Sequence, residues 1–341
     1  MKYFLARLYQ KILYIFTCLI KFREPIILNN TDELVNLLKK KSVQNILLLS
    51  GKRVCKQEFY INLENKLKDE FNVLKYTDIP TDPDINSIEN AVTTAKEFKT
   101  DAIIAVGGGS TMDAGKAIAA RYTNKKSLRK MRGLLKVTKK PKLLITIPTT
   151  AGTGSECTVA SVVSDLEHGE KYAINDPKLI PEYALLDPTV LLTLPADLTA
   201  QTALDALTHA IEAYLGNSNT ETTKRYALSA IHKIYENLQE AYEDNTALDV
   251  RKELQIASYQ AGIAFTRAYV GYVHAFSHAI AATYHLSHGY LNGIILPVIL
   301  EAYGETIHKK LVTLNYLISA NDDNPNTFIM KIKELLIVPY K

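Results

Sequence analysis

Metal-binding side chains are concentrated in the second half of the chain. Asp205 and His209 stand four residues apart. Four of the eight histidines lie within one stretch of 15 residues, namely His274, His278, His285 and His288. One carboxylate with two or three imidazoles is the donor set that a divalent transition metal such as Fe(II) or Zn(II) requires. These residues therefore predict a bound metal that acts as a Lewis acid on a carbonyl or alkoxide oxygen.

Helical spacing brings some of these side chains onto a common face. Residues four apart on a helix have Cβ atoms about 5–6 Å apart, so Asp205 and His209 can reach one ion. His274 and His278 repeat this spacing, and Gly289 marks a place where a helix is expected to end. Spacing alone leaves open which of the four later histidines are ligands.

A glycine-rich turn in the first half predicts an anion site. The apolar run 102–106 leads into Gly107-Gly108-Gly109-Ser110, and a helical pattern follows. Three glycines allow close approach to a phosphate, and the next helix offers free N–H groups. Met112 and Ala117 break the two common phosphate-binding patterns. A nucleotide turn of another kind and a tight turn without a ligand both remain open.

Two further loops favour a nucleotide. The run 143–147 leads into Pro148–Glu156, which is rich in hydroxyl groups and glycine. Loops that follow neighbouring parallel strands form the nucleotide sites of open α/β sheets. A third run ends at Ser50–Arg53, where two cations and no acid follow Gly51. This favours NADP over NAD, the alternative being a solvated basic turn.

The elements that position these groups divide the chain into two halves. Apolar runs at 45–50, 72–76, 102–106 and 143–147 alternate with helical patterns such as 85–98, which Asp84 caps. This alternation predicts a Rossmann-like parallel sheet with helices on both faces. Amphipathic helical patterns alone follow residue 197. We therefore expect an α/β domain over 26–190 and an all-helical metal-binding domain over 191–341.

Residues 1–25 are expected to form an N-terminal amphipathic extension, and Arg7 and Lys11 interrupt its apolar and aromatic stretch 1–22. Its longest charge-free run is about half the length that a bilayer span requires, and no cleavage site follows. We expect a helix that docks on the protein body or on a second subunit, with an interfacial membrane helix as the alternative. No transmembrane segment is predicted.

Composition narrows the class of protein further. A net charge of +4, from 40 basic and 36 acidic residues, is too balanced to indicate a nucleic-acid partner. Three cysteines without a close pair suit a reducing cytoplasm and not a disulfide framework.

Four motifs, taken together, resemble the iron-containing (group III) alcohol dehydrogenases. The resemblance runs from about Ile26 to the carboxyl terminus. The motifs are Gly107–Ser110 with Asp113, Pro148–Glu156, Asp205–Glu212, and His274 with His288–Gly289. The resemblance implies the dehydroquinate synthase-like fold, which pairs an α/β nucleotide-binding domain with a helical metal-binding domain. It also implies an NAD(P)-linked dehydrogenase for small alcohols and aldehydes, commonly a homodimer.

The resemblance also assigns roles to individual residues. It implies that the metal ligands are Asp205, His209, His274 and His288. His278 is left near the substrate as a proton-relay residue. The cofactor contacts that it implies are Gly108, Gly109, Ser110, Asp113, Thr149, Thr150, Thr153 and Lys171. Gly51 matches the position at which an aspartate would favour NAD.

Departures from the family keep two other functions open. The family continues through several helices past the point where Lys341 ends this chain, which implies a helical half without its last helices. A non-catalytic binding module is therefore one alternative. A lyase or cyclase related to dehydroquinate synthase is the other, although its phosphorylated substrate would need a cationic cluster and only Arg267 lies near the histidines.

Overall fold

The computed structural model describes residues 22–284 and 286–337. The predicted helix in residues 1–21 and the extra imidazole His285 lie outside the described residues, so both stay predictions. Within the described ranges, no helix combines the length and the apolar character needed to cross a bilayer.

A parallel sheet forms the centre of the first half. The strands of the described chain are β1 (Ile26–Leu28), β2 (Asn45–Ser50), β3 (Asn72–Tyr76), β4 (Ala102–Gly107), β5 (Gly133–Leu134), β6 (Leu143–Pro148), β7 (Ala160–Asp165), β8 (Glu170–Asn175) and β9 (Tyr183–Leu185). Six of them pair in the order β1-β9-β6-β4-β2-β3, and every pairing in this sheet is parallel. The four strands predicted from sequence all lie in this sheet.

Helices bury both faces of the sheet. The helices of this half are α1 (Thr31–Lys40), α2 (Glu58–Lys68), α3 (Ile85–Glu97), α4 (Gly109–Thr123) and α5 (Leu128–Met131). Strands β2 and β4 are continuous apolar runs because helices cover them on both sides. Asp84 caps α3 as predicted, since its Oδ1 accepts from the N–H groups of Asn86 and Ser87.

A small three-stranded sheet was not predicted from the sequence. Strands β7 and β8 form an antiparallel hairpin, and β5 pairs with β8. Gly169 adopts a φ of +63° in the turn between β7 and β8, a conformation that glycine adopts readily. The local signal for this hairpin is weak, because Ser161-Val162-Val163-Ser164 does not alternate between polar and apolar residues. The hairpin packs against α4 and α3.

The second half is helical throughout its described part. Its helices are α6 (Ala196–Leu215), α7 (Glu221–Glu243), α8 (Leu248–Ala268), α9 (Tyr272–Tyr284), α10 (His288–Tyr303), α11 (His308–Leu317) and α12 (Pro325–Ile337). Helix α6 lies at the centre and packs against α7, α8 and α10. Its segment 203–214 is buried, because alanines at many of these positions allow close approach. The predicted fold class is confirmed, whereas the boundary near residue 190 stays a prediction.

Candidate active site

The carboxyl ends of three neighbouring strands meet at one edge of the sheet. Ser50 at the end of β2 pairs in register with Val106 of β4, and Gly107 pairs with Pro148 at the end of β6. The three loops that sequence analysis singled out therefore leave the sheet side by side. After β2 the chain adds β3 on one side of the sheet, and after β4 it adds β6 and β9 on the other side. This reversal of direction marks the crevice where open α/β sheets bind ligands.

The glycine turn packs so tightly that larger residues are excluded. Helix α4 begins at Gly109 after Gly108, and its first N–H groups face the loop edge. A Cβ on Gly107 would lie 2.5 Å from Thr111 Oγ1, and one on Gly109 would lie 2.8 Å from Thr153 Cγ2. Ser110, in the first turn of α4, is half-buried. The turn therefore has the form of an anion cradle at a helix N-terminus.

The threonine-rich loop after β6 lies directly against this turn. The N–H of Thr149 donates to Gly107 O at 3.1 Å, and Thr149 itself is buried. Thr150 and Thr153 are half-buried and lie beside Gly108 and Gly109. These two hydroxyl side chains can therefore face a ligand held on the glycine turn, whereas Thr149 contributes through its backbone.

Both carboxylate oxygens of Asp113, a residue that the resemblance assigns to the cofactor, accept hydrogen bonds within the protein. Its Oδ1 accepts from Ser155 Oγ at 2.6 Å, and its Oδ2 accepts from the N–H of Val162 at 2.9 Å. Both oxygens are thus engaged by the protein. The carboxylate ties α4 to the threonine-rich loop and to β7.

Lys116 is a buried residue that sequence analysis missed. Its ammonium group donates to Ser155 Oγ at 2.9 Å, Thr158 Oγ1 at 2.8 Å and Ala160 O at 2.8 Å. The side chain is fully buried, and burial lowers its pKa although Asp113 opposes that shift. The available signal was its position three residues after Asp113 on α4. Lys116 thereby holds the threonine-rich loop, which contains Ser155, and the start of β7 against α4.

The remaining predicted cofactor residues lie at the rim. Lys171 is on β8, more than half exposed, and its Nζ lies 2.6 Å from Asp82 Oδ1. Its charge is one of the smaller causes that lower the pKa of His278 and His288, so the ammonium group lies within electrostatic range of both imidazoles. Gly51 has no atom within 4 Å of an added Cβ, which leaves room for a side chain there.

Three helices bring the predicted metal ligands together. Asp205 and His209 lie on α6, His274 lies on α9, and His288 is the first residue of α10. Asp205 Oδ2 is 3.9 Å from His209 Nδ1, while Oδ1 is 3.7 Å from His274 Nε2 and 3.6 Å from His288 Nε2. Donors 2.0–2.2 Å from a tetrahedral ion are about 3.4 Å apart. Asp205, His209 and His274 offer ligand atoms that all lie within 4.8 Å of one another, which suits one shared cation, whereas His288 stands outside this group.

The expected helix end at Gly289 is wrong, because α10 begins at His288. A Cβ on Gly289 would collide with the backbone of Gln201 on α6. The glycine is therefore needed where the first turn of α10 crosses α6, and not for a C-terminal cap. This close crossing carries His288 to Asp205.

His209 is oriented by its neighbours so that one nitrogen is left for a cation. Its ring stacks on Phe265 at 4.1 Å and on His274 at 4.3 Å between centroids. Its Nδ1 is buried without a hydrogen-bond partner. A buried nitrogen without a partner is costly in a folded protein. The donor set and this orphaned atom both fit a metal between Asp205 and the imidazoles.

A second layer of polar groups surrounds the ligands. Glu212 Oε2 lies 2.6 Å from His274 Nδ1, and Ser277 Oγ lies 3.1 Å from His288 Nδ1. Asn292 Nδ2 donates to Asp205 Oδ1 at 2.7 Å and also lies 3.2 Å from His274 Nε2 and 3.1 Å from His288 Nε2, so this amide contacts the donor atoms of three predicted ligands. Such partners fix the tautomer and the ring orientation of metal-binding histidines. Sequence analysis did not assign roles to these three residues, although Glu212 is on the face of α6 that carries His209.

Burial and neighbouring charges shift the pKa values of the side chains in this cluster in different directions. Burial lowers the pKa of His209 to about 3 and that of His278 to about 4. Burial also disfavours the charged form of His274, yet hydrogen bonds to Asp205 and Glu212 raise its pKa to about 9. The pKa of Asp205 is held well below its usual range, since the nearby imidazoles outweigh its burial.

His278 and Arg267 differ in their relation to the cluster. His278 stacks on His288 at 4.5 Å between centroids, beside the predicted ligands and on the same helix as His274. Arg267, the one cation that the sequence placed near the histidines, instead donates to Glu24 Oε1 and Phe22 O. It therefore does not form the cationic cluster that a phosphorylated substrate would need.

The two halves meet at the threonine-rich loop. A Cβ on Gly152 would lie 2.7 Å from the backbone oxygen of Thr202 on α6, and one on Gly154 would lie 2.6 Å from Gly262 on α8. One loop thus contacts both the glycine turn and α6, the helix that carries Asp205 and His209. The nucleotide side and the metal side therefore meet at this loop.

Comparisons with known proteins agree with this geometry. A family model described as iron-containing alcohol dehydrogenase matches residues 26–188, and a model of the C-terminal part of that family matches residues 199–337. Alcohol dehydrogenase 4 of Saccharomyces cerevisiae is 35% identical over 272 residues, which covers 80% of this chain and 71% of the yeast protein. A crystal structure of 1,3-propanediol oxidoreductase superposes with a TM-score of 0.88 at 27% identity, covering 94% of this chain and 87% of that one.

Some relatives are much longer than this chain. The aldehyde-alcohol dehydrogenase of Streptococcus pneumoniae (serotype 4, strain TIGR4) is 34% identical over 287 residues, but the match spans 80% of this chain and only 32% of that protein. The chain belongs to the iron-containing alcohol dehydrogenase family.

Proposed function

We propose that the protein is a metal-dependent, NAD(P)-linked alcohol dehydrogenase that interconverts small alcohols and aldehydes. The observation that carries this proposal is the threonine-rich loop, in which Thr153 contacts Gly109 of the glycine turn and Gly152 contacts Thr202 on the helix of Asp205 and His209. A hydride donor on the first side and an activated substrate oxygen on the second are what the reaction needs. The chain's own residues supply both halves of the cleft.

Asp205, His209, His274 and His288 would hold the metal, which we propose to be Fe²⁺, with Zn²⁺ suited to the same donors. When bound, the metal supplies Lewis-acid polarisation of the substrate oxygen. Glu212 keeps His274 oriented with Nε2 toward Asp205. Ser277 does the same for His288 through its Nδ1.

The nucleotide side would bind NAD or NADP. Gly108, Gly109 and Ser110 would present the free N–H groups of α4 to the pyrophosphate. Thr150 and Thr153 would add hydroxyl contacts, and Thr149 a backbone contact. Asp113 would act by holding the loops together, while Lys171 would lie at the rim of the cofactor. The absence of an acid at Gly51 supports NADP as the preferred form.

His278 would move the proton that accompanies hydride transfer. It stacks on His288 and lies outside the group of side chains closest to Asp205. In aldehyde reduction it would deliver a proton to the product oxygen, and in alcohol oxidation it would accept one. This role rests on its position beside the predicted ligands.

Metal analysis combined with cofactor assays tests the proposal. Purified protein is expected to bind about one metal per chain and to oxidise NADPH or NADH when supplied with a panel of short aldehydes. A folded, metal-loaded protein that oxidises neither cofactor with any aldehyde would indicate a binding module. Turnover of a phosphorylated sugar without net NAD(P)H oxidation would indicate the lyase.

We also propose a homodimer located in the cytoplasm. The family resemblance supports the dimer, and light scattering of the purified chain measures it. Cys55 and Cys157 are free thiols in the structure, as a reducing compartment favours.

A further inference from the structure

The segment from the end of α4 to the start of β6 carries a large excess of positive charge. Ten cationic residues and no acidic residue lie between positions 121 and 142, although the whole chain has a net charge of only +4. The cations of this basic segment are Arg121, Lys125, Lys126, Arg129, Lys130, Arg132, Lys136, Lys139, Lys140 and Lys142. Such a concentration of one sign attracts a partner of the opposite sign.

Acidic side chains neutralise only part of this charge. The cations that form ion pairs with carboxylates are Arg121, Arg129, Arg132, Lys140 and Lys142. Within the described ranges of the chain, no carboxylate pairs with four exposed lysines of the segment, namely Lys125, Lys130, Lys136 and Lys139. Their ammonium groups are therefore available to an anionic partner.

Two exposed leucines lie in the middle of this charge. Leu134 and Leu135 are 51% and 49% exposed, and Arg132 and Lys136 come close before and after them in the sequence. A Cβ on Gly133 would lie 3.8 Å from Lys136 Nζ, so this ammonium group lies beside the turn that carries the leucines. Adjacent apolar side chains among cations combine the two interactions that bind proteins to an anionic bilayer.

The fold holds the leucine pair in this exposed position. The N–H of Leu135 donates to Asn175 O at 2.9 Å, and the next apolar residue, Val137, is buried. The side-chain oxygen of Asn124, a buried residue, accepts from the N–H of Lys139 at 2.7 Å. The turn is thus attached to the protein body on both sides of the leucines, so their exposure is a fixed property of the surface.

The backbone at Leu135 points to a role outside folding. Its φ is +54°, in the left-handed region that glycine and asparagine adopt at lower cost than leucine. A side chain that stays 49% exposed gains little from burial in return. Strain of this kind is found at functional sites, which supports an interaction made by this leucine.

The basic segment begins and ends at the edge of the sheet opposite the crevice. Helix α4 starts at the glycine turn, and β6 ends beside that turn. The end of α4 and the start of β6 therefore lie at the far edge. A partner bound at this edge leaves the crevice open to cofactor and substrate.

Charge and residue type favour a lipid bilayer over other partners. A second copy of the chain, bound through the same face, would bring cations against cations. Single-stranded nucleic acid is held by aromatic rings that stack on bases, whereas the exposed apolar residues here are leucines. Leucines enter the boundary between head groups and acyl chains, and lysines bind anionic head groups.

We propose that the basic segment docks the protein on the surface of an anionic lipid bilayer. Leu134 and Leu135 enter the boundary of the acyl chains, while the four unpaired lysines contact the head groups. The contact is peripheral, because the segment presents one pair of leucines and no long apolar stretch. This assignment is independent of the reaction that the cleft performs.

Flotation of the full-length protein with vesicles tests the proposal. We expect binding to phosphatidylcholine vesicles with about 30% phosphatidylserine to be at least tenfold tighter than to phosphatidylcholine alone. Leu134→Thr/Leu135→Asn and Lys130→Gln/Lys136→Gln should each weaken binding to the anionic vesicles by about tenfold or more. Threonine suits a strand and asparagine suits the left-handed backbone, so the leucine variant should keep the fold.

A matched variant elsewhere on the surface shows whether the effect is local. Lys252→Gln/Lys309→Gln removes two exposed lysines of the helical half and should bind like the unmodified protein. Equal losses in both lysine variants would show that net charge alone drives binding. Full binding by the leucine variant would show a polyanion surface or a contact made by another segment. Either result overturns the proposal, as does an unmodified protein that fails to bind the anionic vesicles.

A tryptophan probe locates the contact. The chain contains no tryptophan, so Leu134→Trp introduces a single fluorescent reporter. Its emission should shift to the blue when anionic vesicles are added, and brominated lipids should quench it. Tyr316→Trp, at an exposed site on α11, should show neither change. An unshifted spectrum of Leu134→Trp in vesicle-bound protein would contradict the proposed contact.

Discussion

Glu212 lies 2.6 Å from Nδ1 of His274, and this contact leaves Nε2 of the same ring facing Asp205 at 3.7 Å. A carboxylate only accepts hydrogen bonds, so Nδ1 must donate, and Nε2 is the nitrogen that faces Asp205 and the Asn292 amide. Gly271 leaves the space that the Glu212 side chain needs, because a Cβ at this position would lie 2.8 Å from Glu212 Oε1. One buried acid on α6 thus orients a predicted ligand on α9.

Removing this acid should weaken metal binding without removing a ligand. Glu212→Ala is expected to lower metal affinity by about 10- to 100-fold, since His274 loses the partner that fixes its tautomer. Competition with a chromophoric chelator measures the change. Glu221→Gln, which alters an exposed acid at the start of α7, is the control. Unchanged affinity in Glu212→Ala would show that the contact does not act on the metal.

Removing a predicted ligand should abolish metal binding and catalysis together. His274→Ala leaves Asp205 with one fewer imidazole, and we expect kcat/KM to fall by about a thousandfold, corresponding to about 4 kcal/mol. Metal content per chain and aldehyde reduction are measured on the same preparation. Equal metal content and equal turnover in the variant would contradict the proposed site.

Steric contact between the glycine turn and the threonine-rich loop predicts that a larger residue at the turn weakens nucleotide binding. Gly109→Ala brings a Cβ to 2.8 Å from Thr153 Cγ2, so the loops must separate. Overpacking of this kind costs about 1–3 kcal/mol, and we expect the KM for the nucleotide to rise about tenfold or more.

A second-site change tests the cause of this effect. Thr153→Ser removes the clashing methyl group but keeps the hydroxyl that accepts from Ser155 N. The double variant Gly109→Ala/Thr153→Ser should recover most of the lost affinity for the nucleotide, while Thr153→Ser alone stays near the unmodified value. A double variant no better than Gly109→Ala would locate the effect elsewhere.

The space around Gly51 allows cofactor preference to be changed. An aspartate there would meet no protein atom at its Cβ, and its carboxylate could bind a ribose hydroxyl while repelling a 2′-phosphate. We expect Gly51→Asp to shift the ratio of kcat/KM values toward NAD by about tenfold or more. Gly51→Ala fills the same space without charge and should leave the ratio unchanged. An unchanged ratio in the aspartate variant would exclude Gly51 from the cofactor site.

Glu156 predicts a pH dependence of stability. Burial raises its pKa to about 7 despite the nearby Lys116, whereas the unfolded chain titrates near the ordinary value. A raised pKa favours the folded state when the group is protonated. This contribution is complete below the unfolded pKa and is lost as pH rises through about 7.

Urea unfolding at pH 5 and pH 8 measures this loss. The unmodified protein should lose about 2 kcal/mol more free energy of unfolding between these pH values than Glu156→Gln does. Glu305→Gln alters an exposed acid and should behave like the unmodified protein. Identical pH profiles for the Glu156 variant and the unmodified protein would contradict the assignment.

The local elements were predictable because they depend on neighbouring residues. Apolar runs at 45–50 and 102–106 predict strands, and glycines after the second run predict a tight turn before a helix. The i,i+4 spacing of Asp205 and His209 predicts that they share one face of a helix. Each of these properties follows from the periods of a helix or a strand.

The hairpin of β7 and β8 and the role of Asp113 were harder to predict from the sequence. The hairpin holds Asp113 through the N–H of Val162, a contact between residues 49 positions apart. Nothing in the local pattern around Asp113 distinguishes a ligand for the cofactor from a bond between loops. That distinction requires knowing which strand packs beside α4.

By itself, the sequence determined the two kinds of domain, the glycine turn and the set of aspartate and histidine residues that are candidate metal ligands. Only the tertiary structure decided that His274 and His288 face Asp205 while His278 stacks behind them. Helical period sets angles within one helix, but the meeting of three helices depends on where they cross. Those crossings are set by close contacts such as Gly289 against α6, which join residues far apart in the chain.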